Sequence, residues 1–437
     1  MPNLDKYIDK PYPKRQMKLG FTLTLILSFF LLNSCQKESI VDDNDRKVDT
    51  NIPNNVNTNA SGNGVDKTPC ENGYAGKYPC KGFDLMSHID LSTFKSMEGN
   101  DSWGWTDPDT QKEYVLMGLD DGTAFVDISE PTKPVLLGKL PTATESSIWR
   151  DIKVYKNNAY IVSEAANHGI QVFDLTRLRE ATPIQSFTPD RLLKTVPTAH
   201  NMVINPESGY GYVVGTNRND EFKGGVHFLN LNDPNNIQFV GGYGKAGYSH
   251  DAQVVNYKGP DQDYIGKEIF LGSNETKLVI VDVTDKKNPK KVSETTYQNT
   301  AYTHQGWFDE GHRFFILGDE LDEINIGGKT RTLVFDLSDL DNPVLHQTYF
   351  GSTDAIDHNG YVKGDLFYLA NYSAGFRLIS IDKLENNKMT EIGFFDSFPE
   401  HNSTTFTGAW NVYPFFESGV IAISDINSGL FLVKKSE

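Results

Sequence analysis

Positive charge is scarce in this sequence. Its 41 Lys and Arg face 58 Asp and Glu over 437 residues, a formal net charge of −17. Nucleic acid is bound by neutralising its phosphates with Lys and Arg, so no nucleic-acid partner is expected. Long apolar runs are nearly missing too. The one candidate, Leu19 to Leu32, is too short to span a bilayer comfortably. From Phe83 onward no helical apolar period persists for three turns. Catalytic signatures are absent: there is no H-E-x-x-H, G-x-S-x-G or P-loop. Gly242-Tyr-Gly244-Lys-Ala-Gly247 fits G-x-G-x-x-G, but it lies between strands and opens no helix, so it cannot cradle a phosphate. No nucleophile-and-base set is recognisable, and no catalytic residue is assigned.

What the chain has in quantity is repetition. Leu278-Val-Ile-Val-Asp282 returns as Ala124-Phe-Val-Asp127, Gln171-Val-Phe-Asp174, His227-Phe-Leu-Asn230, Leu333-Val-Phe-Asp336, Arg377-Leu-Ile-Ser380 and Gly429-Leu-Phe-Leu-Val433. A β-branched run repeated about every 50 residues marks a propeller blade or a solenoid unit. Seven copies predict an all-β, seven-bladed β-propeller with four-stranded antiparallel blades. Repeat packing lets one closed ring absorb a chain whose length would otherwise suggest two or three domains. In each repeat an opening strand a is followed by an aromatic-aliphatic strand b, the Val-Ile-Val-Asp-like strand c, and a Pro turn into strand d. Pro131, Pro134, Pro234, Pro289 and Pro343 fall where the chain changes direction, as their missing N–H requires. The last repeat stops at strand c, so the strand-like segment at about 85–91 is expected to supply its strand d and close the ring.

Aligned strand-a openings read Trp103, Trp149-Arg150-Asp151, His200-Asn201, His250-Asp251, His304-Gln305, His358-Asn359 and Trp410-Asn411. A second set at the ends of strand b includes Glu164, Glu275, Asp319 and Glu320. Strand b runs antiparallel to strand a, so both sets are expected around one mouth of the central channel. Three readings follow. The residues could bond within blades and fix geometry alone. They could bind a small molecule, glycan, peptide or protein partner. Or His200, His250, His304 and His358, with Asp319 and Glu320, could hold a divalent metal and support a metal-dependent reaction. Imidazoles suit Zn, Cu or Fe, whereas Ca would favour the oxygen cluster Asp319, Glu320, Asp322 and Glu323.

At the N-terminus a positive flank (Lys10, Lys14, Arg15, Lys18) precedes the apolar run, which ends in Leu32-Asn-Ser-Cys35. This is the form of a lipoprotein signal over 1–34, with Cys35 lipidated. Several acyl chains on one residue would give durable membrane anchoring. Residues 36 to about 69 are polar and contain no aromatic, the composition of a tether. With Cys35 used by the lipid, Cys70 and Cys80 remain to pair in an oxidising compartment; two free thiols are the alternative.

From Cys70 to the end the sequence resembles the choice-of-anchor B family, extracellular bacterial proteins with LVIVD repeats. The resemblance rests on Pro79-Cys80, Trp149-Arg-Asp151-Ile, Ala199-His-Asn201, His250-Asp-Ala252, Thr303-His-Gln-Gly-Trp307, Gly318-Asp-Glu-Leu-Asp322, Asp357-His-Asn359, Ala370-Asn-Tyr372 and Gly408-Ala-Trp410. It implies a secreted or surface-anchored propeller over 70–437 and no established reaction. One departure is Ser380, in a slot usually held by Asp. The expectation is a monomeric, lipid-anchored propeller at the outer membrane or cell surface that binds a ligand through its channel mouth.

Overall fold

A computed structural model describes residues 67–437. Cys35, the signal segment and most of the tether lie outside the described residues. Within them the chain forms seven antiparallel sheets, one per repeat. The copies of Leu278–Asp282 are the third strand of each blade, buried at every position but the final polar one. That burial follows from stacking. Alternate residues of strands b and c pack against the preceding or the following blade, so both faces are covered and the runs read as continuous apolar sequence. Blades 4 and 5, for example, share a cluster of Ile269, Leu271, Ile280, Phe315, Leu317 and Phe335.

The terminal Asp of strand c has a fixed local task. Asp282 and Asp336 accept from the backbone N–H two residues on, at 3.0 and 2.9 Å, opening the turn toward strand d. Ser380, the departure, instead bonds the Asp382 side chain at 2.5 Å.

The ring closes as predicted. Phe83–Ile89 pairs with Gly429–Lys435 and becomes the fourth strand of blade 7. It starts and ends two residues earlier than the sequence suggested. Asp90 caps the short helix Leu91–Phe94 through the Ser92 N–H, so Leu91 is helical rather than extended. Upstream, Thr68 pairs with Leu85, and Tyr78–Lys81 adds to the outer strand of blade 6. A Cys70–Cys80 disulfide, with Cα atoms 6.0 Å apart, ties this segment together. Blade 1 takes a fifth strand, Gln185–Ser186, parallel to Val135–Pro141. That approach depends on Gly138 (φ +155°), where a Cβ would lie 2.1 Å from the Gln185 carbonyl oxygen.

Strand a of each blade is the inner edge of its sheet, and its free backbone groups need partners. Side chains of the preceding blade supply them except at blade 4, where Asp251 of the same strand accepts from Ala252 N–H. Asp101 Oδ2 accepts from Ile152 N–H and Asp151 Oδ2 from Met202 N–H, both at 3.0 Å. Gln305 takes both groups of Gly360, accepting from its N–H at 3.0 Å and donating to its carbonyl at 3.1 Å. Asn359 donates to the Trp410 carbonyl, and Asn411 to that of Ser102, which carries the pattern across the closure into blade 1.

Candidate functional site at the channel mouth

The strand-a openings do converge, and the cavity they line has a volume of about 20 Å³. That is room for one water molecule or ion, not for a whole organic ligand. Four imidazoles form a continuous arc. Ring centroids are 4.0 Å apart for His200–His250, 4.5 Å for His250–His304 and 4.5 Å for His304–His358. Trp410 continues the arc, 4.9 Å from His358. Trp149, Arg150, Asp151, Asn201, Asp251 and Asn359 also line the cavity.

The mouth is asymmetric. Trp149, His200 and Trp410 are half-buried, whereas His250, His304 and His358 are only 5%, 2% and 4% exposed. Tyr302 and Tyr372 pack against the buried arc, 5.0 Å from His250 and 4.5 Å from His358.

Equal slots do not give equal chemistry. Burial disfavours the charged form of His200, but Glu164 Oε1 at 2.6 Å from its Nδ1 outweighs that and raises its pKa. His304 and His358 are driven down to about 3 by burial and neighbouring histidines, and His250 falls well below its usual value for the same reasons. Three of the four imidazoles are therefore neutral at pH 7. His358 Nδ1–H donates to the Trp410 carbonyl at 2.5 Å. A carbonyl can only accept, so the proton is on Nδ1 and the Nε2 lone pair is free.

Glu320 closes the buried side. It follows strand b of blade 5 (Phe314–Asp319), with Oε2 3.6 Å from His304 Nε2 and Oε1 3.6 Å from His358 Nε2. The Tyr372 hydroxyl donates to Oε1 at 2.7 Å. One ligand atom from each of His304, Glu320 and His358 can lie within 4.8 Å of the others.

Several expected members stand elsewhere. Trp103 is not at the mouth. It lies further along strand a, packed on Tyr361, Tyr413 and Phe415, in a group that Trp307 joins through Tyr361. The ladder gives the reason. Gly99 pairs with Leu119 and Ser102 with Met117, just as Thr303 pairs with Asp319 and Gly306 with Leu317, so an extra residue enters strand a in both blades. The equivalent of His304-Gln305 in blade 1 is therefore Asn100-Asp101, and Asp101 does line the cavity. A signal was present: Asp101, Asp151, Asn201 and Asp251 recur at intervals of 50.

Gln305 is an inter-blade tie rather than a mouth residue. Glu275 is held by Arg218, with bonds of 2.8 and 3.0 Å. Asp319 turns away from the histidines and accepts from Ala301 N–H, Tyr302 N–H and the Tyr297 hydroxyl. Asp322 pairs with Arg331, and Glu323 accepts from Arg331 N–H at 2.8 Å. Three of the four carboxylates of the calcium reading thus gather round Arg331, and Glu320 alone faces the histidines. Arg150 is buried between blades, donating to the Leu119 carbonyl at 3.0 Å and to His168 Nε2 at 3.0 Å.

Sequence reasoning passed over Tyr372 and Lys153. Lys153 lies 2.5 Å from Asp151 and 3.4 Å from Asp101, and its Nζ is over the Trp103 ring. One buried ammonium shared by several carboxylates leaves charge uncompensated, and burial raises Asp251 to about 7.

The family described as LVIVD repeat matches residues 114–142, strands b to d of blade 1. No curated protein matches the chain. Among solved structures it is similar to Kuenenia stuttgartiensis hydrazine synthase, at 10% identity and a TM-score of 0.50, over 79% of this chain and 97% of that one. At that identity the likeness speaks for the fold alone. Fold and repeat together make this chain a seven-bladed β-propeller that carries an LVIVD repeat.

Proposed function

We propose that this protein is a lipid-anchored β-propeller of the cell envelope that works as a binding module, with the channel mouth as its recognition site. The observation that carries the reading is the half-buried rim of Trp149, His200 and Trp410 beside a cavity of about 20 Å³. Indole rings offer stacking area at little entropic cost, and the cavity admits one small group of a larger ligand. A glycan or peptide laid across the rim satisfies both features. Anchoring rests on the Cys35 box and its positive, apolar leader. Among the described residues no helix is long and apolar enough to cross a membrane.

The test is an array of envelope glycans and peptides probed with the full-length protein and a Trp149→Ala/Trp410→Ala variant. Binding that falls at least about tenfold in the variant, as loss of stacked aromatic anchors predicts, with unchanged thermal stability, supports the reading. Equal binding by both proteins refutes it. For the anchor, Cys35→Ser should move the protein from the membrane to the soluble fraction.

A further inference from the structure

We infer that His304, Glu320 and His358 form a mononuclear site for a divalent first-row transition ion, Zn²⁺ in the first instance, with one coordination position open toward the mouth cavity. The inference deepens the recognition reading and rests on the mouth being a binding site. It says that a ligand meets a metal there through one oxygen or nitrogen donor atom.

Three observations converge on it. Tetrahedral zinc holds its ligands at about 2.0–2.1 Å, which spaces neighbouring ligand atoms by roughly 3.4 Å. The two Glu320-to-imidazole separations of 3.6 Å are already near that spacing, and all three ligand atoms fit within 4.8 Å. Second, neither separation is a hydrogen bond. Glu320 lies just beyond bonding reach of two nitrogens, and one of them, His358 Nε2, carries a free lone pair because its Nδ1 proton is committed to the Trp410 carbonyl. Third, Glu320 and His358 have the outer partners that metal ligands require. Tyr372 donates to Glu320 at 2.7 Å and orients the carboxylate, while the Trp410 carbonyl sets the tautomer of His358. A bare histidine cluster needed only for packing has no use for a carboxylate held between two imidazoles.

Two histidines and one carboxylate suit Zn²⁺ or Fe²⁺ and leave a position vacant in either geometry. The cavity of about 20 Å³ is enough for the water or ligand atom that fills it. His200 is outside the set: the ligand atoms that lie within 4.8 Å of one another are those of His304, Glu320 and His358. Tyr372 is a positioning residue, because it touches the carboxylate and not the ion.

The experiment uses the full-length protein stripped with chelator and then titrated with Zn²⁺ by calorimetry, with bound metal counted by elemental analysis. Co²⁺ in place of Zn²⁺ adds a visible absorption band that reports ligand geometry. We expect one equivalent per chain and a rise in melting temperature. His304→Ala/His358→Ala should abolish uptake, and Tyr372→Phe should weaken it by about 10–100-fold with the stoichiometry kept. His200→Ala should retain one equivalent. Circular dichroism and denaturant unfolding of the metal-free variants separate loss of site from loss of fold. Should the double variant fail to fold, Glu320→Gln carries the same test, with an expected loss of at least about tenfold.

Uptake well below one equivalent for Zn²⁺, Co²⁺, Fe²⁺ and Cu²⁺ alike would overturn the inference. So would full uptake by the folded double variant. Failed metal uptake together with array binding that still depends on Trp149 and Trp410 would overturn the metal site and leave the recognition reading standing. Stoichiometric metal on the triad with array binding indifferent to both tryptophans would do the reverse.

Discussion

Replacing Gln305 by alanine tests whether the second residue of each strand-a opening holds the ring together. The Gln305 side chain is 4% exposed and makes two bonds to one residue of the next blade, at 3.0 and 3.1 Å. Gly360 pairs with Leu369 on its own sheet, so the bonds to Gln305 lie on the free inner edge of blade 6. Alanine would leave an N–H and a C=O without partners at a buried site. Each costs about 1–3 kcal/mol, so the variant should lose about 2–6 kcal/mol. That is a large part of the 5–15 kcal/mol typical of a folded domain. Gln305→Met keeps the volume and loses the bonds, so it should cost nearly as much, which isolates hydrogen bonding from packing. Denaturant unfolding followed by tryptophan fluorescence and by circular dichroism gives the difference. Losses under about 1 kcal/mol for both variants would refute the idea that these side chains satisfy the inner edges.

Two further outcomes follow from the same structure. The Cys70–Cys80 bridge closes a loop with a sequence separation of 10, so replacing both residues by serine should cost about 3 kcal/mol through unfolded-state entropy; an unchanged melting temperature, with and without reductant, would speak against this. Asp425 is fully buried, and burial lifts its carboxyl to about 6 despite bonds from Ser397, Asn427 and Ser428. The folded state therefore holds a proton that the unfolded state has released. Stability should fall by up to about 3 kcal/mol as pH rises from about 4 to 6 and level off above that. Asp425→Asn should flatten this slope and be at least as stable as the wild type at pH 7. An unchanged slope in the variant would place the titration elsewhere.

The reading of the mouth from sequence was partial for identifiable reasons. Trp103 was aligned by residue type, and the extra residue in strand a of blade 1 moved the true position to Asn100-Asp101. An inserted residue of this kind leaves no mark in composition. Its trace was the 50-residue spacing of Asp101, Asp151, Asn201 and Asp251, which a tryptophan-led alignment obscures. Between Asp319 and Glu320, adjacent in sequence and alike in chemistry, only side-chain direction chooses. Asp319 ends its strand facing the backbone of Ala301 and Tyr302, and Glu320, one step on, faces the imidazoles.

The number of blades, the strand closing the ring and the pairing of Cys70 with Cys80 were all legible in the linear sequence. Each depends on periodicity or on a count, and stacked repeats transmit periodicity directly into architecture. Which members of equivalent slots meet, and in what charge state, was settled only in three dimensions. His200 and His358 occupy the same slot, yet Nδ1 meets a carboxylate in one and a carbonyl in the other. Ladder register, the alternation of side-chain direction along a strand and local burial decide such differences, and none of the three can be read from a single chain before it closes on itself.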